Sequence, residues 1–349
     1  TSYDSPLVKI LNTVYENTYF PPVTTTSAKL LTLGQLVDKN NAAKDNLYQL
    51  LANLEGLHDY LQPVLTAQNP RKVAYELIAE RMTADQSPMP VKAWINQLSN
   101  DTWHFLLKNA MRYMDTSWSE QVIKPYQSSI ANRYPFVSEA ANEVSLKQFS
   151  LFFGKPGIIT SFYSSHLAPF IDTSNPEWSW KKLDGEAMPF SSSVLHQIQQ
   201  AMTIHHAFFP NGDNRLYVPF ALQQQKISKS IQRIKLNINS KIIVDKPTKS
   251  STPYVLAWPF NTKGTFSSIE LTKTGKQPIE TDYPGSWGWF KLVNHAYESS
   301  ISNKEVILNF SRDKSPAQYL LSTKGKRNPF TALSLNHFHL AKQLTTISS

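Results

Sequence analysis

Apolar residues in the first 145 positions recur every three or four residues, which is the spacing of one face of an α-helix. Asn69-Pro70 supplies an N-cap followed by a proline in the first turn, and Asp101 begins another such run. Stripes of Leu, Trp and Met at this spacing are far more often a packed core than a cofactor cavity, so we predict a helical bundle over residues 1–145. The clearest stripe ends at Pro63 and consists of Leu47, Leu50, Leu51, Leu54, Leu57 and Leu61.

Between residues 146 and 213 the pattern changes to short helices separated by turns. The spacing predicts one helix over Ser145 to Phe153 and a longer helix from Ser191 to Phe208. Trp178 and Trp180 lie in the loop between them, and we expect both to pack this segment onto the helical bundle. We therefore predict a helical bridging segment over 146–213.

After Asp213 apolar and polar residues alternate, most clearly over Ile234–Asn239, as on a half-buried antiparallel strand. The run from Trp287 to Tyr297 has helical spacing instead and predicts a helix inserted near 287–297. Together these patterns predict an α+β protein whose residues 214–349 form an antiparallel β-sandwich. The other predicted strands are Leu216–Leu222, Lys241–Val244, Tyr254–Trp258, Phe266–Leu271, Glu305–Phe310 and Gln318–Ser322.

The length of 349 residues and the 41% hydrophobic content are enough for about two domains of ~150 residues with real cores. No apolar run reaches the ~18 residues that a membrane-spanning helix needs. The sequence begins Thr1-Ser2-Tyr3-Asp4, without an initiator methionine or a signal segment. We expect it to be part of a longer or processed protein whose membrane anchor lies outside it.

The net charge of +9 is unevenly distributed: residues 1–213 carry a net charge of −3 and residues 214–349 a net charge of +12. Such a field can attract nucleic acid, an anionic membrane surface or an acidic protein, and the charge alone does not discriminate among them. Single-strand binders stack exposed aromatic rings along a basic groove. Trp287 and Phe290 lie three apart on a predicted helix, which favours burial, and we expect no nucleic-acid partner.

The sequence contains no motif for a nucleotide or a metal. Gly154–Gly157 lacks the spacing of a phosphate-binding loop. His205 and His206 point to different sides of a helix, and His337 and His339 have no third ligand nearby. The absence of cysteine also removes thiolate sites and disulfides, so we expect no cofactor and no metal.

Catalytic constellations are equally weak. Glu76 and Glu80 could form an acid/base pair, but a solvated helix flank is the better interpretation. Ser164, Ser165, His166 and Asp172 supply the residue types of a hydrolytic triad, yet the chain has no Gly-x-Ser-x-Gly elbow. We therefore predict that the protein is not an enzyme.

A series of motifs in residues 130–340 resembles, in order, the C-terminal periplasmic region of the IcmF/TssM family. The members of this family are inner-membrane proteins of type VI secretion and of the related Dot/Icm type IV systems, and the motifs leave open which system applies. The motifs are Tyr134-Pro135-Phe136, Phe152-Phe153-Gly154-Lys155-Pro156-Gly157, Leu167-Ala168-Pro169-Phe170, Trp178-Ser179-Trp180-Lys181, Ala207-Phe208-Phe209, Trp258-Pro259, Gly285-Ser286-Trp287-Gly288-Trp289-Phe290-Lys291-Leu292 and Asn328-Pro329-Phe330.

The resemblance implies a non-enzymatic periplasmic scaffold of a trans-envelope complex, anchored in the inner membrane through segments outside this sequence. It also implies that the β-rich part binds an outer-membrane lipoprotein of the TssJ type. An inner-membrane partner of the TssL type would bind elsewhere, and the full complex would self-associate. The alternative is a cell-wall polysaccharide-binding module, which requires a row of exposed Trp or Tyr side chains.

Partner contacts are expected at strand edges and loops, where backbone groups are free. We predict two contact segments, one being the turn around Lys324, Lys326 and Arg327 and the other a loop formed by Thr281, Asp282 and Tyr283. Trp258, Trp287 and Phe290 are expected to fill the core of the sandwich instead.

Overall fold

The structure is a computed structural model, which describes residues 108, 110–183, 186–238, 241–247, 252–260, 266–311, 315–325, 328–330, 335–336 and 338–347. The helices predicted before residue 108 lie outside these residues, as do Glu76, Glu80 and His337. The predicted α+β class is confirmed, because the described chain is mainly helical up to Phe208 and forms antiparallel sheets after it.

The chain divides into two compact units, of which the first comprises residues 1–118, 169–191 and 343–349. In its described part, residues 110–118 are helical and two short hairpins follow. The side chain of Asp115 accepts the backbone N–H groups of Leu344 at 2.8 Å and Thr345 at 3.0 Å, which fixes the terminal segment. The hairpin strands are β1 (Ile171–Asp172), β2 (Ser179–Trp180), β3 (Lys182–Leu183) and β4 (Glu186–Ala187).

The second unit comprises residues 119–168 and 192–342 and begins with helices. The predicted helix from Ser145 is confirmed: the Ser145 hydroxyl accepts the backbone N–H of Gln148, and the helix ends at Gly154. The predicted helix that ends near Phe208 is also confirmed. The helices are α1 (Lys124–Ser129), α2 (Leu146–Phe153), α3 (Ile158–Phe162) and α4 (Ser192–Phe208), with π-helical turns at Ser119–Ile123 and Tyr163–Leu167 and a 3-10 turn at Ala168–Phe170.

Two antiparallel sheets and one helix complete the second unit. The four-stranded sheet has the order β10-β9-β6-β7, and the five-stranded sheet has the order β11-β12-β13-β5-β8. The strands are β5 (Val218–Ile227), β6 (Ile231–Ile238), β7 (Lys241–Asp245), β8 (Tyr254–Trp258), β9 (Phe266–Lys273), β10 (Ile279–Pro284), β11 (Tyr297–Ser300), β12 (Glu305–Asn309) and β13 (Ala317–Thr323). Helix α5 (Gly288–Ala296) is the helix predicted near 287–297, and that prediction is confirmed.

Strands β10 and β11 were not predicted, and the expected loop at Thr281–Tyr283 is wrong because these residues belong to β10. Both strands lie at the edge of their sheet. The residues of β10 and β11 are almost all exposed, so neither strand has the alternation of buried and exposed positions that identified the others. An edge strand can therefore form without an apolar pattern, through backbone pairing to its one neighbour.

A buried carboxylate joins the two sheets. The Asp245 side chain, on β7, accepts the hydroxyl of Tyr319 on β13 at 2.6 Å and also the hydroxyl of Tyr254 on β8. The hydrogen bond to Asp245 raises the pKa of Tyr254 to about 12, and burial together with Asp245 raises the pKa of Tyr319. Both phenols therefore stay protonated and remain donors over the physiological pH range.

An aromatic cluster continues from the helices into the sandwich. Phe149 of α2 contacts Phe208 of α4, with ring centroids 5.0 Å apart, and Trp287 at 5.2 Å. Trp287 lies 4.9 Å from both Trp258 of β8 and Phe290 of α5. All five side chains are almost completely buried, so α2, α4, β8 and α5 share one core.

Removing the Tyr319 hydroxyl should weaken the junction between the sheets. We predict that Tyr319→Phe lowers the free energy of unfolding by about 1–3 kcal/mol, because a buried carboxylate loses one of its two donors. Urea unfolding followed by tryptophan fluorescence measures the change. The control Tyr297→Phe alters a partly exposed tyrosine on β11 and should change stability by less than about 0.5 kcal/mol. Equal effects of the two variants would show that the hydroxyl does not stabilise the junction.

His205 makes the stability of the second unit depend on pH. Its Nδ1–H donates to the backbone carbonyl of Phe153 at 2.7 Å, and burial lowers its pKa, an effect that the positive charges of His206 and Lys155 increase while the Phe153 carbonyl opposes it. The unfolded chain takes up a proton near pH 6.5, whereas the folded chain does so only at lower pH. The contribution of His205 to the stability of the folded state is therefore complete above pH 6.5. It decreases as the pH falls from 6.5 towards the lower pKa of His205 in the folded chain.

We predict that His205→Asn, which keeps a donor for Phe153 and cannot titrate, has a smaller loss of stability between pH 7 and pH 5 than the unchanged protein. Urea midpoints measured across this range test the prediction. The exposed His196, on the same helix, provides the matched control, and His196→Asn should retain the original pH dependence. An unchanged slope in His205→Asn would contradict the assignment.

Candidate partner interface

A groove lies between β9, β10, helix α5 and the end of β12, and it has a volume of about 350 Å³. We call it the β10 groove. Its floor is apolar and buried, whereas Ile279 on its rim is 59% exposed. The residues that line it are Ile269, Leu271, Lys273, Ile279, Thr281, Tyr283, Leu292, His295, Ala296, Asn309, Phe310 and Ser311.

The polar groups in this groove are held in place by contacts within it. Lys273 is buried, and its Nζ donates to the hydroxyl of Ser311 at 3.3 Å. The ring of Tyr283 meets the exposed His295 edge-on, with centroids 5.5 Å apart. The groove therefore combines an apolar floor with a cation at its base, which suits a partner side chain that is apolar with a polar end.

Strand β10 borders the groove and pairs with β9 on only one side among the described residues. The carbonyl of Pro284 accepts Lys291 Nζ at 2.9 Å, so its C=O is directed away from β9. In an antiparallel strand, successive residues direct their backbone N–H and C=O groups alternately towards one neighbour and towards the opposite side. Asp282 is two residues from Pro284, so its N–H and C=O also point away from β9. This edge can pair with a strand from another protein.

The position of α5 depends on close contacts at its start. Gly285 has φ of +95°, and a Cβ on Gly288 would lie 2.3 Å from the carbonyl oxygen of Tyr283, so the helix starts directly against β10. Trp287 Nε1 donates to the carbonyl of Val144 at 2.7 Å. The helix is thus fixed both to the strand and to the segment before α2.

An ion pair adds to this anchor. Lys291 Nζ lies 2.5 Å from Glu143 and 5.2 Å from the ring centre of Tyr134. The two charged side chains are only 28% and 22% exposed, so their attraction is less screened than that of the exposed pair Lys124–Glu120. Lys291 Nζ also donates a hydrogen bond to the carbonyl of Pro284, so this ion pair is connected directly to the end of β10.

The structure does not bring the two predicted contact segments together. Thr281 and Tyr283 line the β10 groove, which meets β12 at Asn309, the last residue of that strand. Lys324 follows Thr323, whose N–H donates to the carbonyl of Lys304 just before β12 begins. Strand β12 spans roughly 13 Å, so the segments lie at opposite ends of it. Lys326 and Arg327 lie outside the described residues.

The predicted core residues differ in burial. Trp258, Trp287 and Phe290 are almost completely buried, whereas Trp178 and Trp180 are half-buried. Trp180 stacks on Phe190 at 4.6 Å and donates to the carbonyl of Ser191 at 3.1 Å, both within the first unit. Trp289 is also buried, so the tryptophans that the structure describes do not form the exposed row that a polysaccharide platform requires.

The residues considered for catalysis have structural contacts. Ser165 Oγ lies 2.7 Å from His166 Nδ1, and the Asp172 carboxylate accepts the N–H of Ser174 at 2.9 Å. Burial lowers the pKa of His166, and the hydrogen bonds from Ser174 lower the pKa of Asp172. In the described part of the chain no three His, Asp or Glu residues are placed to hold a metal ion. No described helix has the length and apolar character needed to cross a bilayer.

The sequence predicts Thr281 and Tyr283 as contact residues, which stays a prediction, and it does not predict the groove that both residues line. Ile279, Thr281 and Tyr283 are spaced by two, which was the available signal for a strand with one face towards the groove. The opposite wall, with His295 and Phe310, could not be found because it depends on the packing of α5 against β9.

Both halves of this fold match models of known protein domains. Residues 109–214 match the type VI secretion protein IcmF helical domain, and residues 220–325 match the type VI secretion protein IcmF C2-like domain. The chain is also 24% identical over 333 residues to the type VI secretion system component TssM1 of Pseudomonas aeruginosa PAO1. That match covers 91% of this chain and 30% of TssM1, so the chain spans about a third of its relative.

Solved structures share the fold. A chain of a type VI secretion system membrane core complex superposes with a TM-score of 0.69 at 17% identity, over 98% of this chain and 79% of that chain. The TssM C-terminal domain from EAEC superposes with a TM-score of 0.58 at 18% identity, over 68% of this chain and 98% of that domain.

The resemblance of the motifs to the IcmF/TssM family is therefore confirmed. The helical domain and the C2-like domain of one family follow each other in this chain, and together they account for more than half of its length. This chain belongs to the IcmF family of type VI secretion proteins.

Proposed function

We propose that this chain is the periplasmic, partner-binding part of a type VI secretion membrane complex, in which it acts as a scaffold without catalytic turnover. In this role it links an inner-membrane protein to an outer-membrane lipoprotein of the TssJ type. Family membership supports a place in the secretion envelope complex. A TssL-type partner and self-association would then involve the longer protein.

One observation carries the proposal of a partner site: a sheet edge that is open for pairing lies directly beside a groove with an apolar floor. Main-chain hydrogen bonds to β10 would supply affinity, and a partner side chain in the β10 groove would supply specificity. The ion pair between Lys291 and Glu143 holds this edge in place before the partner arrives, which reduces the entropy cost of binding.

Charge supports the approach of the partner rather than its final contact. Lys324 is exposed and is followed in sequence by Lys326 and Arg327, in a part of the chain with a net charge of +12. Exposed charges of one sign speed the encounter with a partner of opposite sign and make the rate depend on salt. We therefore assign steering to this turn and docking to β10.

The experiment is a titration of the full chain with the soluble domain of the outer-membrane lipoprotein encoded beside it, followed by calorimetry. We expect saturable binding that Asp282→Pro weakens at least about tenfold, since proline removes the outward N–H of β10 and crowds the edge. Asp282→Ala keeps the N–H and should stay within about threefold. Absence of binding to the unchanged chain would overturn the proposed partner.

Replacing Lys324, Lys326 and Arg327 by alanine tests the steering role separately. We expect a slower association and a smaller dependence on salt, with little change in the dissociation rate. An unchanged association rate would show that the turn has no role in steering the partner. It would not affect the conclusion drawn from Asp282→Pro about docking on β10.

A further inference from the structure

A second groove lies on the other sheet, between helix α4 and the hairpin of β11 and β12, and has a volume of about 790 Å³. We call it the polar groove. Its α4 wall carries Ser193, Gln197, Gln200 and Thr203, which recur at three- and four-residue spacing and share one helix face. The opposite wall carries Ser300, Ser302 and Asn303.

The lining of the polar groove is polar but almost without charged side chains. None of the described residues that line the polar groove is Asp, Glu, Lys or Arg, and the polar ones are amides, hydroxyls and two histidines. Ile204, Phe208 and Val306 form a narrow apolar base and are buried. Amide and hydroxyl groups above an apolar base match the alternating polar and apolar character of a peptide chain.

A free strand edge faces the same groove. The N–H of Ile301 donates to the carbonyl of Glu305, which identifies that pair as hydrogen-bonded across the hairpin. By alternation, Ser299 is hydrogen-bonded to Ile307, and Ser300 directs its N–H and C=O away from β12. Ser300 is exposed and also lines the polar groove, so a chain that pairs with its outward backbone groups lies along the groove.

The length of the polar groove and the positive charge at one end of it indicate the kind of ligand that fits. The wall from Ser193 to Ala207 is roughly 21 Å long, which accommodates about six extended residues. Lys304 and Lys324 are exposed beside the hairpin turn, and neither forms an ion pair with a described residue. An acidic residue at the end of an otherwise uncharged segment is complementary to this arrangement.

We infer that the polar groove binds an extended, largely uncharged peptide segment of a partner protein, which adds to β11 as a further strand and ends in an acidic residue beside Lys304. A neutral glycan is the less favoured ligand, because the described lining offers no exposed Trp or Tyr for a sugar ring. This site is separate from the β10 groove, because the two grooves share no lining residue.

The test selects ligands from a phage library of random nine-residue peptides on the immobilised full chain. We expect enrichment of sequences with few charges and one terminal Asp or Glu. A synthetic peptide from the selection should bind Ser300→Pro at least about tenfold more weakly, while Ser300→Ala, which keeps the N–H, should bind it within about twofold. Thermal unfolding of both variants confirms that each is folded.

Charge reversal tests the predicted end of the peptide. Lys304→Glu should weaken binding at least about fivefold, and the effect should shrink at high salt. The control Lys229→Glu changes an exposed lysine in the turn between β5 and β6 and should leave affinity unchanged.

Three results would overturn the inference: no enrichment above the unselected library, peptides that bind Ser300→Pro as well as the unchanged chain, or binding of chitotetraose that competes with the selected peptide at the same site with similar affinity. None of them bears on the lipoprotein titration, because Asp282 and Ser300 lie on edge strands of different sheets.

Discussion

The rest of the second unit depends on the aromatic cluster that Phe149, Phe208, Trp258, Trp287 and Phe290 form. Aromatic side chains each bury about 150–250 Å² and prefer edge-on or offset contacts, which most pairs in this cluster adopt. The cluster takes residues from α2, α4, β8 and α5, so no one of these elements can shift without exposing large apolar surface. Within the second unit, the residues that match the IcmF helical domain therefore share a core with those that match the C2-like domain.

A shared core of this kind leaves the strand edges as the places where the backbone can still bind. Each sheet has two outer strands, and the two that carry almost no buried residues are β10 and β11. Each of these lies beside a groove, but the grooves differ in chemistry. The β10 groove has an apolar floor with a buried lysine, whereas the polar groove is lined by amides and hydroxyls. The two edges are therefore suited to different partner segments.

The same contrast explains what the sequence could predict. Strand β6 alternates buried and exposed residues, and α2 begins at a serine cap and ends at a glycine, so local patterns were sufficient for both. Strands β10 and β11 were missed because backbone pairing, rather than a buried face, holds them. The grooves were missed because their walls come from residues far apart in sequence, such as Tyr283 and Phe310.

The charged residues fall into two groups, namely those paired within the fold and those exposed to solvent. Glu270 lies beside Arg233 and Lys235, and Glu143 beside Lys291, so part of the positive charge is neutralised within the fold. Lys304 and Lys324 lie at the turn where β12 begins and β13 ends, and are exposed. At physiological salt, screening limits the range of interactions between exposed charges to about 8 Å. Such charges can orient an approaching partner but do not distinguish one partner sequence from another. In the proposed function, recognition therefore comes from the hydrogen-bonding edges and the grooves beside them, where a partner makes short-range contacts.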